Sequence, residues 1–402
     1  MKFAHLGDCH IGGWREPKLS FIAAKAFEKA ISIAIEKNLD FVLITGDLFN
    51  TSLPGIDNLN VVVKKLKELK DKGIQAYAIA GSHDFSPSGR TIIDVLEHAG
   101  LLVNVFKGSA ENNILKLNFT VDKKTGAKIT GIVGRKGMLE RNYYENLEKA
   151  TLEQEPGYKI FMFHTALSEL KPADMDKMDS APLSYLPKNF NYYAGGHVHE
   201  VINVKEKGYG PIVYPGALFP ANFRELEKFG NGGFFIVEDD KAEWQPVQIQ
   251  NVLSIKINCS LKNPQEVEQE IFEDIKHKEF FNTIVTLRLS GKLKEGMISD
   301  INFSQIYSRL YEKGAYFVMK NVSSLETREF EAVKIGSVEE IESKLIEENI
   351  NQIKINQNEI KLVNDLMNVL NKEKEEDEKI ADFEKRVVED ALKVFEIKKK
   401  AL

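Results

Sequence analysis

With 402 residues the chain exceeds one ordinary hydrophobic core and has room for about two or three, and 43% apolar with 28% charged residues describe a globular composition. A formal charge of −6 argues against holding a polyanion by bulk electrostatics, and apolar runs of only strand length exclude a membrane-spanning segment. The two cysteines, Cys9 and Cys259, exclude a disulfide framework and a thiolate metal site, and the opening MKFAHLGD reads as a strand rather than a signal peptide, so a reducing cytoplasmic setting is expected.

In chain order, the first two hundred residues alternate short β-branched or apolar runs with amphipathic helical patterns, the signature of an α/β sandwich. Strands are predicted at Lys2–Leu6, Phe41–Thr45 and Gln75–Ala80, with helices at Phe21–Glu36, Asp57–Lys70 and Thr91–His98. Further strands are read from KITGIVG at Lys128, YKIFMFHT at Tyr158, NYYAGGHVH at Asn191 and GGFFIVED at Gly232. From about Asn251 the pattern becomes that of a small α+β domain: VLSIKINCS, a helix near Gln265–His277, TIVTLRLSG, a helix near Ser304–Glu312, then AYFVMKNV. After Gly336 the chain is helical and highly charged, with 12 Lys and Arg against 17 Asp and Glu. The preceding residues, 42 basic against 43 acidic, sit near neutrality, so any nucleic-acid groove there must be local. The charged segment opens on a capping box at Ser337 and carries two amphipathic helices, one on Leu362, Val363, Leu366, Met367 and Leu370, the other on Ile380, Phe383, Val387 and Val394. KEKEEDEK at Lys372 separates them as a solvated stretch.

Five motifs fall just after predicted strands: Gly7-Asp8-Cys9-His10, Gly46-Asp47, Gly81-Ser82-His83-Asp84, Phe163-His164-Thr165 and Gly195-Gly196-His197-Val198-His199. Strand alternation would put Asp8 and His10 on one face, able to grip a single ion, and His197 and His199 likewise. Asp47 follows a continuous apolar strand, where a carboxylate is costly unless it meets cations, and a bridging position suits it. Imidazole with carboxylate suits Mn, Fe or Zn rather than Ca or Mg. Two such ions about 3.5 to 4 Å apart clamp a phosphate and activate a water for in-line attack at phosphorus. Any one motif alone reads most simply as structural, as His5, His98 and His277 do. All five in order at strand ends read as a phosphodiesterase.

That order of motifs resembles the calcineurin-like metallophosphoesterases, and HLGDCHIGG, ITGDLFN, IAGSHDFSP and GGHVHE are similar to the Mre-eleven / SbcD family of double-strand-break repair nucleases. The resemblance implies a four-layer metallophosphoesterase β-sandwich flanked by helices over residues 1–250, an α+β capping domain that binds DNA over 251–335, and a helical ATPase-binding segment over 336–402. It implies a Mn-dependent nuclease holding two Mn²⁺ ions, a 3′-to-5′ double-strand exonuclease and single-strand endonuclease. By the family pattern Asp8, His10 and His199 would hold one ion, Asp47 would bridge, and His164, His197 and Ser82 would hold the second. His83 would stabilise the transition state or protonate the leaving oxygen, with Asp84 orienting it.

Two positions depart from the pattern. Ser82 stands where a ligating Asn is usual, and Asn50 stands where many relatives have a histidine that seats the DNA strand, which leaves the balance of exonuclease and endonuclease activity open. The resemblance also implies a homodimer through the helices at Asp57–Lys70 and Thr91–Gly100. It implies a Rad-fifty or SbcC type ATPase gripped by the C-terminal helices, in a cytoplasmic, nucleoid-associated complex. Arg15, Arg90, Arg135 and Lys136 are candidate DNA contacts, each reading first as an ordinary surface charge. Two rivals stay open: another phosphoester substrate on the same fold, and a non-catalytic scaffold, which Ser82 alone favours.

Overall fold

Two six-stranded sheets packed against each other organise the chain up to Val247. The computed structural model describes residues 1–86, 88–172, 178–327, 359–372, 374 and 380–395. Its strands are β1 (Lys2–Leu6), β2 (Phe41–Thr45), β3 (Gln75–Ile79), β4 (Val103–Asn104), β5 (Gly108–Glu111), β6 (Ile114–Leu117), β7 (Thr120–Val121), β8 (Lys128–Ile132), β9 (Lys159–His164), β10 (Tyr192–Gly196), β11 (Val201–Lys205), β12 (Pro211–Pro215), β13 (Gly232–Glu238), β14 (Lys241–Val247), β15 (Asn251–Asn258), β16 (Thr283–Lys292) and β17 (Phe317–Glu326). The first sheet runs β14-β13-β1-β2-β3-β4 and the second β11-β12-β10-β9-β8-β7. In both, the central strands are parallel, β1 to β4 in one and β8, β9, β10 and β12 in the other.

Parallel strands need cover on both faces. In β9 this divides the side chains by twos: Ile160 and Met162 join the core shared with the first sheet, Phe161 and Phe163 the core on the far side. Each such burial contributes roughly 1.5–3 kcal/mol. A slip of one residue would exchange the two sets, so the register is held from both sides.

Helices α1 (Pro17–Glu36), α2 (Ile56–Asp71) and α3 (Ile92–His98) supply cover on the first sheet, and α4 (Arg141–Glu145) and α5 (Lys149–Gln154) bring Tyr144 and Leu152 to the outer face of the second. The result is the expected four-layer α/β sandwich. Helix α1 begins four residues before the predicted start because Glu16 caps it and Pro17 takes the first helical position, where a missing N–H costs nothing. The Thr91–Asp94 capping box starts α3. A further helix, α6 (Phe223–Phe229), precedes β13.

None of the four edge strands, β14, β4, β11 and β7, is predicted from the sequence, and the reason is shared. Edge strands are half solvated and short, so the apolar run that marks an interior strand is missing: β4 and β7 have two residues, β11 alternates exposed and half-buried positions, and β14 contains Pro246, which only an edge tolerates.

Beyond Asn251 the elements are those expected of an α+β segment: the sheet β15-β16-β17 with α7 (Pro264–Lys276) and α8 (Phe303–Glu312). The tail helices are α9 (Glu359–Leu370) and α10 (Ile380–Val394), which pack on each other and share a Lys372–Asp390 ion pair of 2.8 Å. The capping box at Ser337 lies outside the described residues. The chain separates into two compact units: one holds Met1–Ile257, Gln269–Leu289 and Asn302–Ser323; the other holds Asn258–Glu268, Ser290–Ile301 and Ser324–Leu402. Both cysteines are buried thiols outside any disulfide, as packing residues should be. Among the described residues no helix is long and apolar enough to cross a membrane.

Candidate metal centre

Five of the parallel strands deliver their carboxyl ends to one place. Asp8 and His10 follow β1, Asp47 follows β2, Ser82 to Asp84 follow β3, His164 ends β9, and His197 and His199 follow β10. The alternation argument for Asp8 and His10 does not hold, because β1 ends at Leu6 and both residues turn away from extended backbone. Asp8 (φ 48°), His10 (φ 42°), Asp47 (φ 48°) and His197 (φ 85°) all adopt the left-handed region. A non-glycine residue there costs on the order of 1–3 kcal/mol and persists only where its surroundings fix it. Here they do: His10 N–H donates to the Asp47 carbonyl (2.9 Å), and His197 N–H donates to both oxygens of Asp8 (3.0 and 2.9 Å). The turns, not the strand pleat, aim these side chains at one another.

Donor atoms of Asp8, His10 and His199 converge, as do those of His10, Asp47 and His83, and of Asp8, Asp47 and His164. Asp47 Oδ2 lies 3.3 Å from His164 Nε2 and 3.8 Å from His10 Nε2. His10 Nε2 faces His199 Nε2 at 3.1 Å, and His199 Nε2 lies 3.9 Å from Asp8 Oδ1. Ser82 Oγ donates to Asp47 Oδ2 at 3.4 Å, and His83 N–H donates to Asp47 Oδ1 at 2.8 Å. The ring of His197 packs against that of His164, with centroids 5.3 Å apart.

The outer nitrogens reveal the tautomers. A carbonyl oxygen can only accept, so Nδ1–H of His164 donates to Thr45 O (2.7 Å) and Nδ1–H of His83 donates to Asn50 O (2.8 Å). His199 Nδ1 is bonded to Glu225 Oε1 at 3.0 Å. Each ring is thereby held by one nitrogen, leaving Nε2 for the cluster, which is the arrangement of metal-ligating histidines. His164 Nε2 and His10 Nδ1 are buried without a hydrogen-bond partner.

Charge completes the picture. Burial favours the neutral form of Asp8 and raises its pKa, against the opposing pull of His199 and His164. Burial alone would do the same to Asp47, but His164 and His10 overcome it and hold that carboxyl well below its usual range. Burial lowers His10 to about 3 and His197 to about 4. It is outweighed at His164 by Asp47, which lifts the ring to about 10, and at His199 by Glu225 and Asp8, which lift it to about 9. A buried set that draws positive charge inward between carboxylates and bare imidazole nitrogens fits divalent transition-metal ions.

Asp84 stands apart from the cluster. It is buried and accepts from Gly81 N–H (2.9 Å) and Phe49 N–H (3.4 Å), so it braces the turn that carries His83. Burial, helped by nearby Asp47, pushes its carboxyl up to about 7. Gly81 has no alternative at its position, since a Cβ there would collide with the Asp47 carboxylate. His5 is buried against Tyr192 OH, Thr45 and Gly195 O, a structural role as expected. Arg15, Arg90 and Lys136 are exposed and Arg135 is half-buried.

Glu225 is the participant that motif reading misses. It sits in the first turn of α6, where Asn222 caps the helix and Glu225 folds back on Ala221 N–H (2.8 Å). Asn222 with Glu225 three residues on is a capping signal legible in the sequence, but nothing local says that the same carboxylate reaches His199. Replacing Glu225 with Ala is expected to weaken metal binding about 10–100-fold while leaving the fold intact, measured by titration of the metal-free protein. Unchanged affinity would show that His199 needs no such support.

Comparison with known proteins places these features. The family pattern described as calcineurin-like phosphoesterase matches residues 1–201. A protein of Methanopyrus kandleri named "DNA double-strand break repair protein Mre11" is 29% identical over 62% of this chain, which spans 57% of that protein's length. Proteins of the same name from Archaeoglobus fulgidus and Sulfurisphaera tokodaii are 28% and 26% identical, over 86% and 87% of this chain and 77% and 92% of their own lengths. The likeness read from the motifs thus extends beyond the motifs, over 62% to 87% of this chain in these three relatives.

Proposed function

The chain belongs to the calcineurin-like phosphoesterase family, and from that premise we propose that it is a Mn-dependent DNA nuclease that processes the ends of double-strand breaks. The observation that carries this reading is the cluster itself: Asp8 and Asp47 among the rings of His10, His83, His164 and His199, the last three tied down by Nδ1 so that Nε2 is left for the cluster. The names of the relatives supply the substrate class.

In this reading Asp8, His10 and His199 would hold one Mn²⁺, His164, His197 and Ser82 would hold a second, and Asp47 would serve both. Bound there, the two ions supply charge stabilisation to a phosphoester under attack and a water activated as nucleophile. The remaining steps belong to the chain. His83, whose Nδ1 proton is committed to Asn50 O, must carry a second proton on Nε2, as the imidazolium, to give one to the leaving oxygen and return to the neutral ring. Asp84 acts on His83 through the turn it braces. Because the anchor is the backbone carbonyl of residue 50, the asparagine there keeps His83 in place whatever it does to strand seating. Ser82 reaches less far than the usual Asn, so a second ion would be held more loosely there than the first.

The activity is read as 3′-to-5′ exonuclease on duplex DNA with endonuclease action on single strands. For a homodimer through α2 and α3, support comes from Leu53, Ile56 and Val95, apolar residues that stay exposed in or beside those helices. For an ATPase of the Rad-fifty or SbcC type bound by the tail, it comes from Leu370, Val388 and Phe395, exposed on or next to α9 and α10. The division into nuclease (1–250), capping (251–335) and ATPase-binding (336–402) segments, and a place beside the nucleoid in the cytoplasm, belong to the same proposal.

End-labelled duplex and single-stranded DNA offered with Mn²⁺ to the chain and to Asp8→Ala tests it. Mn-dependent shortening is expected of the chain, with a loss in the variant exceeding the roughly 10–100-fold that even outer-shell changes cause. If the chain cuts neither DNA, alone or with the ATPase, yet hydrolyses a phosphopeptide or small phosphodiester, the substrate assignment is wrong. If it hydrolyses nothing, the scaffold reading takes its place.

A further inference from the structure

We infer that Arg135 is a phosphate-binding residue of this site, gripping the DNA backbone beside the scissile phosphodiester; the inference rests on the nuclease reading above. The loop after β8 is fastened to both halves of the cluster. Gly134 N–H donates to Ala80 O (2.9 Å), next to the turn of Ser82 to Asp84, and Gly134 lies so close to His164 that a Cβ would strike its ring. Arg135 N–H donates to Glu140 Oε2 (3.0 Å), and buried Glu140 also bonds the side chain of Thr165, the neighbour of His164. The backbone of Arg135 is therefore set by the same elements that set His83 and His164.

Its side chain is set as firmly. The guanidinium lies over the ring of Phe85, 4.8 Å from the centroid, and Nη1 donates to Tyr143 OH at 3.2 Å. Phe85 comes two residues after His83. Among the described residues no carboxylate pairs with this guanidinium, so a half-buried planar cation with donors to spare is presented on an aromatic platform supplied by the same turn that carries His83. Arginine held this way is pre-organised for a phosphate, whose oxygens match its fork, and little side-chain entropy remains to be lost on binding. Arg15, Arg90 and Lys136 are exposed, and among the described residues none of them has a comparable platform. The plain alternative is that Arg135 only pins its loop to Phe85 and Tyr143.

The test compares the chain with Arg135→Ala and Arg135→Lys on two substrates, a single-stranded oligonucleotide and bis(p-nitrophenyl) phosphate, which has no flanking phosphate, with Mn²⁺ present. For Arg135→Ala we expect the loss of kcat/KM on the oligonucleotide to exceed that on the small diester by about tenfold, carried by KM. The plot of log binding constant against log salt, taken on the oligonucleotide, should lose roughly 0.7 in slope, the share of one single-strand phosphate contact. Arg135→Lys, which keeps the charge and loses the fork, should restore the slope and recover only part of KM. Equal losses on both substrates, or an unaltered slope in Arg135→Ala, would overturn the proposal and leave the loop-pinning role. Failure of the nuclease reading looks different: the unmodified chain would hydrolyse the small diester and neither bind nor cut the oligonucleotide.

Discussion

Replacing Asp47 with Ala is expected to release both metal ions and to abolish cleavage, by more than the roughly 10–100-fold that outer-shell substitutions cause. Asp47 is buried, and its two oxygens divide the work. Oδ1 fixes the backbone of His83, while Oδ2 faces His164, His10 and Ser82. Its removal leaves imidazoles with no central anion, so the attraction that holds cations between the two sheets goes with it. Asp47→Asn separates charge from shape, because an amide fits the same space and still accepts from His83 N–H. It should fold as the parent does and lose the ions nonetheless. Metal content by mass spectrometry of the intact protein, with circular dichroism as the fold control, reads both variants; an Asp47→Asn protein that keeps two ions would remove Asp47 from the bridging position.

His83→Ala is the second large effect and has a different signature. Loss of a general acid typically lowers the rate about 10²–10⁴-fold, and here the loss should come with two ions still bound. The contrast matters because His83 stands close enough to His10 and Asp47 to be a ligand by distance. What argues for chemistry is its position: the ring is partly exposed, pinned by Nδ1 to Asn50 O, and packed edge-on to His10 with centroids 4.9 Å apart. If the variant binds one ion instead of two, His83 is a ligand and the leaving oxygen takes its proton from elsewhere. Unchanged turnover would remove it from the reaction.

Much of this was legible in residue order, and the parts that were not share physical causes. Buried parallel strands announce themselves: Phe41–Thr45 is apolar throughout because both faces are covered, and its predicted bounds are those observed. Edge strands and two-residue strands carry no such run. The cluster was legible because each parallel strand hands its carboxyl end to the same side, so five short motifs far apart in sequence fall together. Its local geometry was not. Asp and His visit positive φ more than most residues, but nothing local says that Asp8, His10, Asp47 and His197 are the ones that do, and the strand-alternation argument named a shared grip for a reason the backbone contradicts. Long-range support escaped for a similar reason. Glu225 and the carbonyls of Thr45 and Asn50 hold the rings from elements that nothing in the motifs mentions.

The most direct measurement of the central claim is anomalous scattering from crystals soaked in Mn²⁺. Two peaks about 3.5–4 Å apart are predicted, both touching Asp47, one beside Asp8, His10 and His199 and the weaker one beside His164, His197 and Ser82. A single peak, or two peaks that do not share Asp47, would contradict a two-metal phosphodiesterase built on these residues.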